Sequence, residues 1–168
     1  FISNGHSKIY NTNVKENILV NNLKYESNKK INNKGIVSNY KFLIKHFNSE
    51  AENSSNYKSD YDSGIMGLFA YENKLPLIKN NNDYKEIFTP KILLNYSPNK
   101  TKNMKNSDRR IDTENIFSFN RISSEDSVEG GESLTVGTEY KRVNDDDNEF
   151  FRLNIATSFR ENEDLDIP

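Results

Sequence analysis

The chain has 168 residues, 33% of them hydrophobic, and its formal net charge of -2 does not mark it as a nucleic-acid-binding protein. It contains no cysteine, which excludes disulfides and thiolate metal sites. No apolar run approaches the roughly 18 residues of a membrane-spanning helix. The chain begins at Phe1 and not at methionine, so we expect that processing or truncation removed the original start.

The order of apolar and polar residues predicts β-strands along most of the chain. No apolar stripe with a 3.6-residue period persists, so helices are not favoured. Residues 1–10 are compatible with the end of a first strand. Alternation with a period of two then predicts further strands over residues 16–27, 34–48, 61–73, 84–97, 132–143 and 149–160.

The connections between these strands alternate in length. The connections over residues 28–33, 74–83 and 144–148 are shorter than the neighbouring ones over 49–60 and 98–131. Long strands with short turns at one end and long loops at the other are typical of outer-membrane β-barrels, and the smallest of those need about eight strands. We therefore predict an all-β fold: an antiparallel up-and-down meander of about six or seven long strands, forming an incomplete arc of a large transmembrane β-barrel. A soluble antiparallel sandwich or open meander remains the alternative fold. The corresponding functional alternatives are an outer-membrane β-barrel that acts as a receptor or channel, and a soluble antiparallel β-sheet binding module.

The sequence offers no catalytic site. It contains no GxSxG, Walker, HExxH or GxGxxG motif. Gly130 and Gly131 are not followed by a predicted helix, so a phosphate-binding loop is not favoured. Asp145, Asp146 and Asp147 lie between two strands, which indicates a hairpin turn and not a calcium loop. We therefore expect a protein that is not an enzyme and that has no metal or cofactor.

The long connection over residues 98–131 separates its charges. Acidic residues such as Glu125, Asp126 and Glu129 follow a basic run. One interpretation is that the two runs are solvated and loosely neutralise each other. The other is a basic patch that faces anionic lipid headgroups. The basic run comprises Lys100, Lys102, Lys105, Arg109 and Arg110.

The same connection carries apolar residues that would not remain in water: Ile116, Phe117, Phe119 and Ile122. We expect this segment to fold back onto an apolar surface, such as the lumen or the rim of a barrel. Asn120 and Arg121 lie beside these aromatic residues in a stretch without a regular pattern. We expect their side chains to form hydrogen bonds within the loop and to fix its fold.

Two segments resemble the barrel of the lipopolysaccharide-assembly outer-membrane proteins, the LptD or organic-solvent-tolerance family. They are EIFTPKILLNYSPN and DTENIFSFNRISSEDSVEGGESLTVGTEYKR, and the resemblance covers roughly residues 71–160. Ser127 stands where the family often has arginine before Val-Glu-Gly-Gly. The residues that match the family pattern are Asp112, Asn115, Ile116, Phe117, Asn120, Arg121, Val128, Glu129, Gly130, Gly131, Gly137 and Tyr140.

This resemblance implies a lipid translocon and not an enzyme. Members of the family receive lipopolysaccharide from a periplasmic protein bridge and release it through a lateral opening into the outer leaflet. The implied location is the outer membrane of a Gram-negative bacterium. The implied partners are lipopolysaccharide, a plug lipoprotein of the LptE type, the periplasmic bridge proteins and outer-membrane lipid, with no nucleic acid.

Within such a barrel, we expect residues 1–168 to be part of the C-terminal β-barrel domain, without the periplasmic N-terminal domain and the remaining strands. They would form mid-barrel wall and not the lateral gate, and the loop over 98–131 would be extracellular. The lumen would be lined by Lys91, Glu139, Lys141, Arg152, Asn154 and Arg160. Lipid would contact Leu134, Val136, Phe151, Leu153 and Ile155.

Overall fold

Long runs of alternating residues build one antiparallel β-sheet. The computed structural model describes residues 1–10, 12–102, 104, 110–122, 124–162 and 164–167. No helix in these ranges is long and apolar enough to cross a membrane. The strands found there are β1 (Ile2–Ile9), β2 (Lys15–Glu26), β3 (Lys30–Ile31), β4 (Val37–Glu52), β5 (Asp62–Lys74), β6 (Leu77–Asn80), β7 (Tyr84–Ser97), β8 (Gly131–Asn144) and β9 (Glu149–Arg160).

The strands follow one another across the sheet in the order β1-β2-β4-β5-β7-β8-β9, and every neighbouring pair is antiparallel. The short strand β3 pairs with β4 beyond the end of β2, and β6 pairs with β7 beyond the end of β5. Each short strand thus continues the path of the strand before it. This open meander of long strands confirms the predicted fold class.

The interruption between β5 and β6 has a local cause in Pro90. Pro90 lies within β7, and its carbonyl accepts a hydrogen bond from the backbone N–H of Leu75 (3.1 Å). Pro90 has no N–H of its own, so it cannot donate the second backbone hydrogen bond of this pair. Pro76, the next residue of the neighbouring path, also lacks an N–H. The ladder therefore breaks here and resumes at Leu77.

The predicted bounds of one strand were wrong. Residues 34–48 were expected to form a strand, whereas β4 runs from Val37 to Glu52. Gly35 has φ +80° and donates its N–H to the carbonyl of Asn32 (3.0 Å), so the strand begins only after this turn. At the other end, Ser49–Glu52 have modest strand propensity but pair fully with Lys15–Ile18 of β2. The other long strands begin and end within one residue of their predicted ranges.

The sheet has two different faces. The inner face is defined here by Leu43, Leu68, Leu93 and Thr135, which are all buried. The outer face carries large apolar and aromatic side chains that remain exposed, from 36% for Tyr40 to 75% for Ile9. The exposed set includes Phe42, Ile44, Phe69, Phe88, Ile92, Leu94, Phe151, Leu153, Ile155 and Phe159.

Candidate functional site

The connection between β7 and β8 spans residues 98–130 and is called the inner loop from here on. Within its described part, residues 117–122 and 124–130 lie against the inner face. Phe119 and Val128 of this loop are buried in one cluster with Leu43, Leu68 and Leu93 of the sheet. The loop thus folds back onto an apolar surface, as its own apolar residues predict. This packing removes the loop's aromatic side chains from water and covers the middle of the inner face.

A buried arginine ties the inner loop to the sheet. The Nε and Nη2 atoms of Arg121 donate to the two carboxylate oxygens of Glu129 near the end of the loop, with Nε to Oε2 at 2.6 Å. Arg121 also donates to the hydroxyls of Ser133 (2.7 Å), Thr135 (3.1 Å) and Ser158 (2.9 Å). The side chains of Arg121 and Glu129 are 0% and 3% exposed. A bidentate arginine–carboxylate pair with further hydroxyl partners fixes both the position and the orientation of the Arg121 side chain.

A second arginine joins the same carboxylate from β9. Arg160 forms an ion pair with Glu129, donates to the carbonyl of Gly130 (2.5 Å) and lies 3.2 Å from Asp164. Asp164 in turn accepts a hydrogen bond from Thr101 (2.5 Å). Glu129 therefore pairs with two guanidinium groups. The end of the inner loop contacts Arg160 at the end of β9, and its start contacts Asp164 in the segment after β9. Arg121, Glu129 and Arg160 are called the arginine anchor below.

The two glycines beside Glu129 allow the loop to enter β8. Gly131 has φ +74°, a backbone conformation that residues with a Cβ rarely adopt. Gly130 lies so close to the start of the loop that a Cβ would meet the carbonyl of Asn99 and would lie 2.7 Å from the backbone N of Thr101. The N–H of Gly130 donates to the hydroxyl of Thr101 (2.9 Å). Gly131 thus allows the turn into β8, and Gly130 allows the two ends of the inner loop to pack closely.

A buried lysine on β4 holds the middle of the inner loop. The ammonium of Lys45, which is 3% exposed, donates to the carbonyls of Ser124 and Ser127, the latter at 3.2 Å. The hydroxyl of Ser127 accepts the N–H of Lys102 (2.9 Å). Ser127, which replaces the arginine common in the family pattern, is therefore part of the loop's own hydrogen-bond network.

Replacing Lys45 with methionine is expected to lower the free energy of unfolding by about 1–3 kcal/mol, because loop carbonyls would lose a buried donor. Denaturant unfolding and protease cleavage within the inner loop measure the effect. Lys74→Met is the matched control. Lys74 is on the same face, but its side chain is 31% exposed and its ammonium makes only a long ion pair with Glu72, at 4.0 Å. Equal behaviour of the two variants would contradict the role of Lys45.

The charged ends of the inner loop neutralise each other through one close pair. The ammonium of Lys102 contacts Asp126 and lies 4.9 Å from the ring centre of Tyr57. Burial alone would raise the pKa of Asp126, but hydrogen bonds from Lys102 and Ser124 outweigh it and hold that pKa below its ordinary value. Burial, with Asp126 and other carboxylates nearby, raises the pKa of Tyr57 to about 12. At Lys102 and Asp126, the structure therefore supports the interpretation in which the basic and acidic runs neutralise each other.

The depressed pKa of Asp126 predicts an acid-sensitive contact. Its stabilising contribution is fully present above the ordinary aspartate pKa of about 4 and is lost as pH falls through the lower pKa of the folded state. The protection factors of amides in the inner loop, which correct for the intrinsic pH dependence of exchange, should therefore fall below about pH 4. Asp126→Asn should remove this part of the pH dependence. An unchanged pH profile in that variant would contradict the assignment.

Two other residues of the basic run lie in the part of the chain that the structure describes. Lys100 and Arg110 are exposed. The predicted headgroup contacts of Lys105 and Arg109 lie outside the described residues.

Four residues of the family pattern, Asp112, Asn115, Phe117 and Asn120, form a local turn or line the edge of the site. Asp112 accepts the N–H groups of Glu114 (2.9 Å) and Asn115 (3.1 Å), and Asn115 accepts the N–H of Asp112 (3.0 Å). This turn starts the segment that carries Phe117, whose ring lies 5.7 Å from the ammonium of Lys91. Asn120 is half-buried and lines a cavity beside the loop.

Two residues of the family pattern lie away from the arginine anchor. Gly137 is on the inner face of β8, where a Cβ would be 2.7 Å from the Cβ of Ala156. Tyr140 is on the outer face near the opposite end of the sheet. Its hydroxyl donates to Glu86 (3.0 Å) and accepts from Arg142 (2.8 Å). Gly137 therefore allows close packing between β8 and β9, and Tyr140 joins polar side chains on the outer face.

A cavity of about 980 Å³ lies between the inner loop and the inner face of β1, β2 and β4. Its walls combine apolar and charged groups, which suits an amphipathic ligand with a polar head. Lys41, one of its cations, lies 3.4 Å from Glu26 and 3.6 Å from Glu72. Across the described ranges, no three histidines and carboxylates are grouped to hold a metal ion. The lining includes Val20, Leu43, Phe117, Phe119, Lys24, Lys41, Glu26 and Glu125.

Sequence reasoning missed Lys45, although a signal was present. Lys45 occupies an inward position between Leu43 and Phe47, where the alternation calls for an apolar residue. A cation at such a position requires buried acceptors. Arg160 was predicted only as a lumen residue, because its contact with Glu129 spans 31 positions and no local pattern reports it.

Comparison with known families gives one match to this chain. The model of the family described as LptD, LPS transport system D, matches residues 25–168. This range includes β4 to β9, the inner loop and the whole arginine anchor. A search of curated proteins returns no match.

Proposed function

The chain belongs to the LptD family of lipopolysaccharide transport proteins, and we propose that it forms mid-barrel wall of an outer-membrane translocon. The family is an outer-membrane transport family, and its role is to assemble lipopolysaccharide at that membrane. The all-β open sheet fits a segment of such a barrel wall. In this proposal the chain has no catalytic step.

The contrast between the two faces carries the proposal. The outer face exposes aliphatic and aromatic side chains and holds an apolar groove of about 640 Å³ next to Phe69, Leu94 and Leu134. Acyl chains suit such a surface, whereas water does not. The inner face carries charges in register, such as Lys91 with Glu139 (3.2 Å). All six residues expected to line the lumen are on this face by strand register.

The turn lengths support one orientation of the sheet in the membrane. The turns over residues 32–36, 81–83 and 145–148 are short and lie at one end of the sheet. The connections over 53–61 and 98–130 are longer and lie at the opposite end. The turn between β1 and β2 is the exception, since it is short and lies at the end of the longer connections. Because barrels of this kind have short periplasmic turns, the inner loop starts from the extracellular end. It then covers the lumen wall as a fixed constriction.

In this arrangement the sugar-phosphate head of lipopolysaccharide passes along the inner face beside the loop. The cavity of about 980 Å³ supplies the space, and Lys24 and Lys41 supply cations at its wall. The arginine anchor holds the loop in place, so the loop shapes the passage. The family's plug lipoprotein and periplasmic bridge proteins are the partners that this role requires.

Photo-crosslinking in the intact barrel protein tests the proposal. A photoreactive residue at Asn22, which lines the cavity, should form adducts with lipopolysaccharide that disappear when its supply from the periplasm stops. The same residue at Leu93, which is 2% exposed beneath the inner loop, should form none. Absence of adducts at position 22 during active transport would refute this function for the cavity.

A further inference from the structure

The apolar band of the outer face gives way to mainly polar residues before the strands end, with Ile9, Leu19 and Ile65 as apolar exceptions. Along β4, the outward residues are Tyr40, Phe42 and Ile44, followed toward the longer loops by His46 and Asn48. The neighbouring β1 and β2 carry serine and asparagine at the same end. The polar outward residues of this region, called the polar strip, are Ser3, Ser7, Asn17, Asn21, His46, Asn48, Tyr61 and Ser63.

Hydrogen bonds hold the polar strip in order. Ser3 donates to Asn21 (2.7 Å) and Ser7 donates to Asn17 (2.6 Å) across the β1–β2 pair. Each of these bonds ends on an asparagine carbonyl oxygen. No described residue accepts a hydrogen bond from the amide Nδ2 groups of these two asparagines, so both are available as donors.

The second part of the strip is built around Asn48. Its carbonyl oxygen accepts from the hydroxyls of Tyr61 (2.7 Å) and Ser63 (3.0 Å), and Ser63 lies 3.2 Å from a ring nitrogen of His46. The hydroxyl contact fixes one end of Tyr61, whose side chain is 68% exposed. The ring of Tyr61 is therefore exposed to the outside and held at its hydroxyl end.

A groove of about 640 Å³ joins the two parts. Gly5 leaves room at its floor, since a Cβ there would lie 3.2 Å from the Cδ1 atom of Leu19. The groove is lined by asparagine, serine, histidine, Tyr61 and Glu50, together with the apolar Ile18 and Leu19, and no described Lys or Arg lines it. Uncharged donors and acceptors beside the apolar surfaces of Tyr61 and Leu19 suit a sugar ring, which has hydroxyls at its edge and C–H groups on its face, whereas a phosphate would require cations.

We infer that the polar strip binds neutral sugar rings of glycolipids that already reside in the outer leaflet. The inference uses the orientation given under the proposed function: the strip is on the lipid side of the wall, beyond the apolar band, at the extracellular end. At that height a barrel contacts the sugar layer and not acyl chains. The strip is on the opposite face from the transport cavity, so it contacts glycolipid around the barrel and not glycolipid in passage.

Site-specific photo-crosslinking of the intact protein in its membrane tests the inference. A benzoylphenylalanine in place of Tyr61 should form adducts with lipopolysaccharide, and these should persist when new supply stops. Asn48→Leu should lower the adduct yield about tenfold, because it removes a donor and reshapes the groove. Core oligosaccharide freed of lipid should compete with adduct formation, whereas inorganic phosphate should not.

Asn73 provides the matched control position. It is also on the outer face and accepts a hydrogen bond from Ser38 (2.6 Å), but at the short-turn end of the sheet. A photoreactive residue there should form no lipopolysaccharide adduct. Equal adducts at positions 61 and 73, competition by phosphate, or loss of the position-61 adduct when supply stops would each overturn the inference. Adducts at position 22 test the transport cavity separately. The proposed transport function and the inferred sugar binding by the polar strip can therefore fail independently.

Discussion

Replacing Glu129 with alanine is expected to release the inner loop and to lower the free energy of unfolding by about 3–5 kcal/mol. Glu129 is 3% exposed and is shared by Arg121 and Arg160. Its removal leaves the fully buried guanidinium of Arg121 with neutral hydroxyl partners alone. The cost of an unpaired buried charge far exceeds that of losing an exposed ion pair. Protease cleavage within residues 98–130 and denaturant unfolding of the intact protein measure the two effects.

Glu132→Ala is the control for this variant. Glu132 is three residues away, carries the same charge and is exposed on the outer face, so its loss should change stability by less than about 0.5 kcal/mol. Arg121→Ala should resemble Glu129→Ala in loop release, because it removes the other half of the pair. If Glu129→Ala leaves the loop as protected as in the unaltered protein, the arginine anchor does not hold it.

Replacing Gly130 with alanine is expected to displace the two ends of the inner loop from each other. The new Cβ would meet the backbone of Asn99 and Thr101, and backbone cannot move aside as a flexible side chain can. Overpacking of this kind costs about 1–3 kcal/mol or more. The hydrogen bond from Gly130 to the hydroxyl of Thr101 would be lost with it. The expected result is a lower unfolding midpoint and faster amide exchange at Thr101.

Gly64→Ala provides the comparison within the same sheet. Gly64 lies in β5, and a Cβ there would meet nothing within 4 Å. Its substitution should be neutral or slightly stabilising, since alanine restricts the unfolded chain. Similar losses of stability in the two variants would show that the close approach at Gly130 is not the cause.

The outer face explains why strand positions could be predicted from the sequence. The segments 84–97 and 149–160 alternate over most of their length, because one side of each strand suits an apolar environment and the other is mainly polar. Such a pattern is local and can be read along the chain. Where local preference and pairing disagree, as at Ser49–Glu52, the pairing with β2 decided the outcome.

The anchoring of the inner loop shows where local reading ends. Arg121 could be singled out as a residue that fixes the loop, and its bond to Glu129 lies within the loop as expected. Its partners Ser133, Thr135 and Ser158 come from two strands that meet only in the folded sheet. Lys45 reaches Ser124 across 79 positions. Contacts at that separation depend on strand order and register, which single residues do not encode.

The account can be tested most directly by spin-label accessibility along β7 in the intact protein reconstituted in a lipid bilayer. The account predicts high accessibility to oxygen, which partitions into lipid, at Ile92, Leu94 and Tyr96. It predicts access for a water-soluble relaxation reagent at Lys91, and access for neither reagent at Leu93 and Asn95, which the sheet and inner loop bury. Water-reagent access at Ile92 and Leu94 equal to that at Lys91 would contradict a lipid-facing barrel wall.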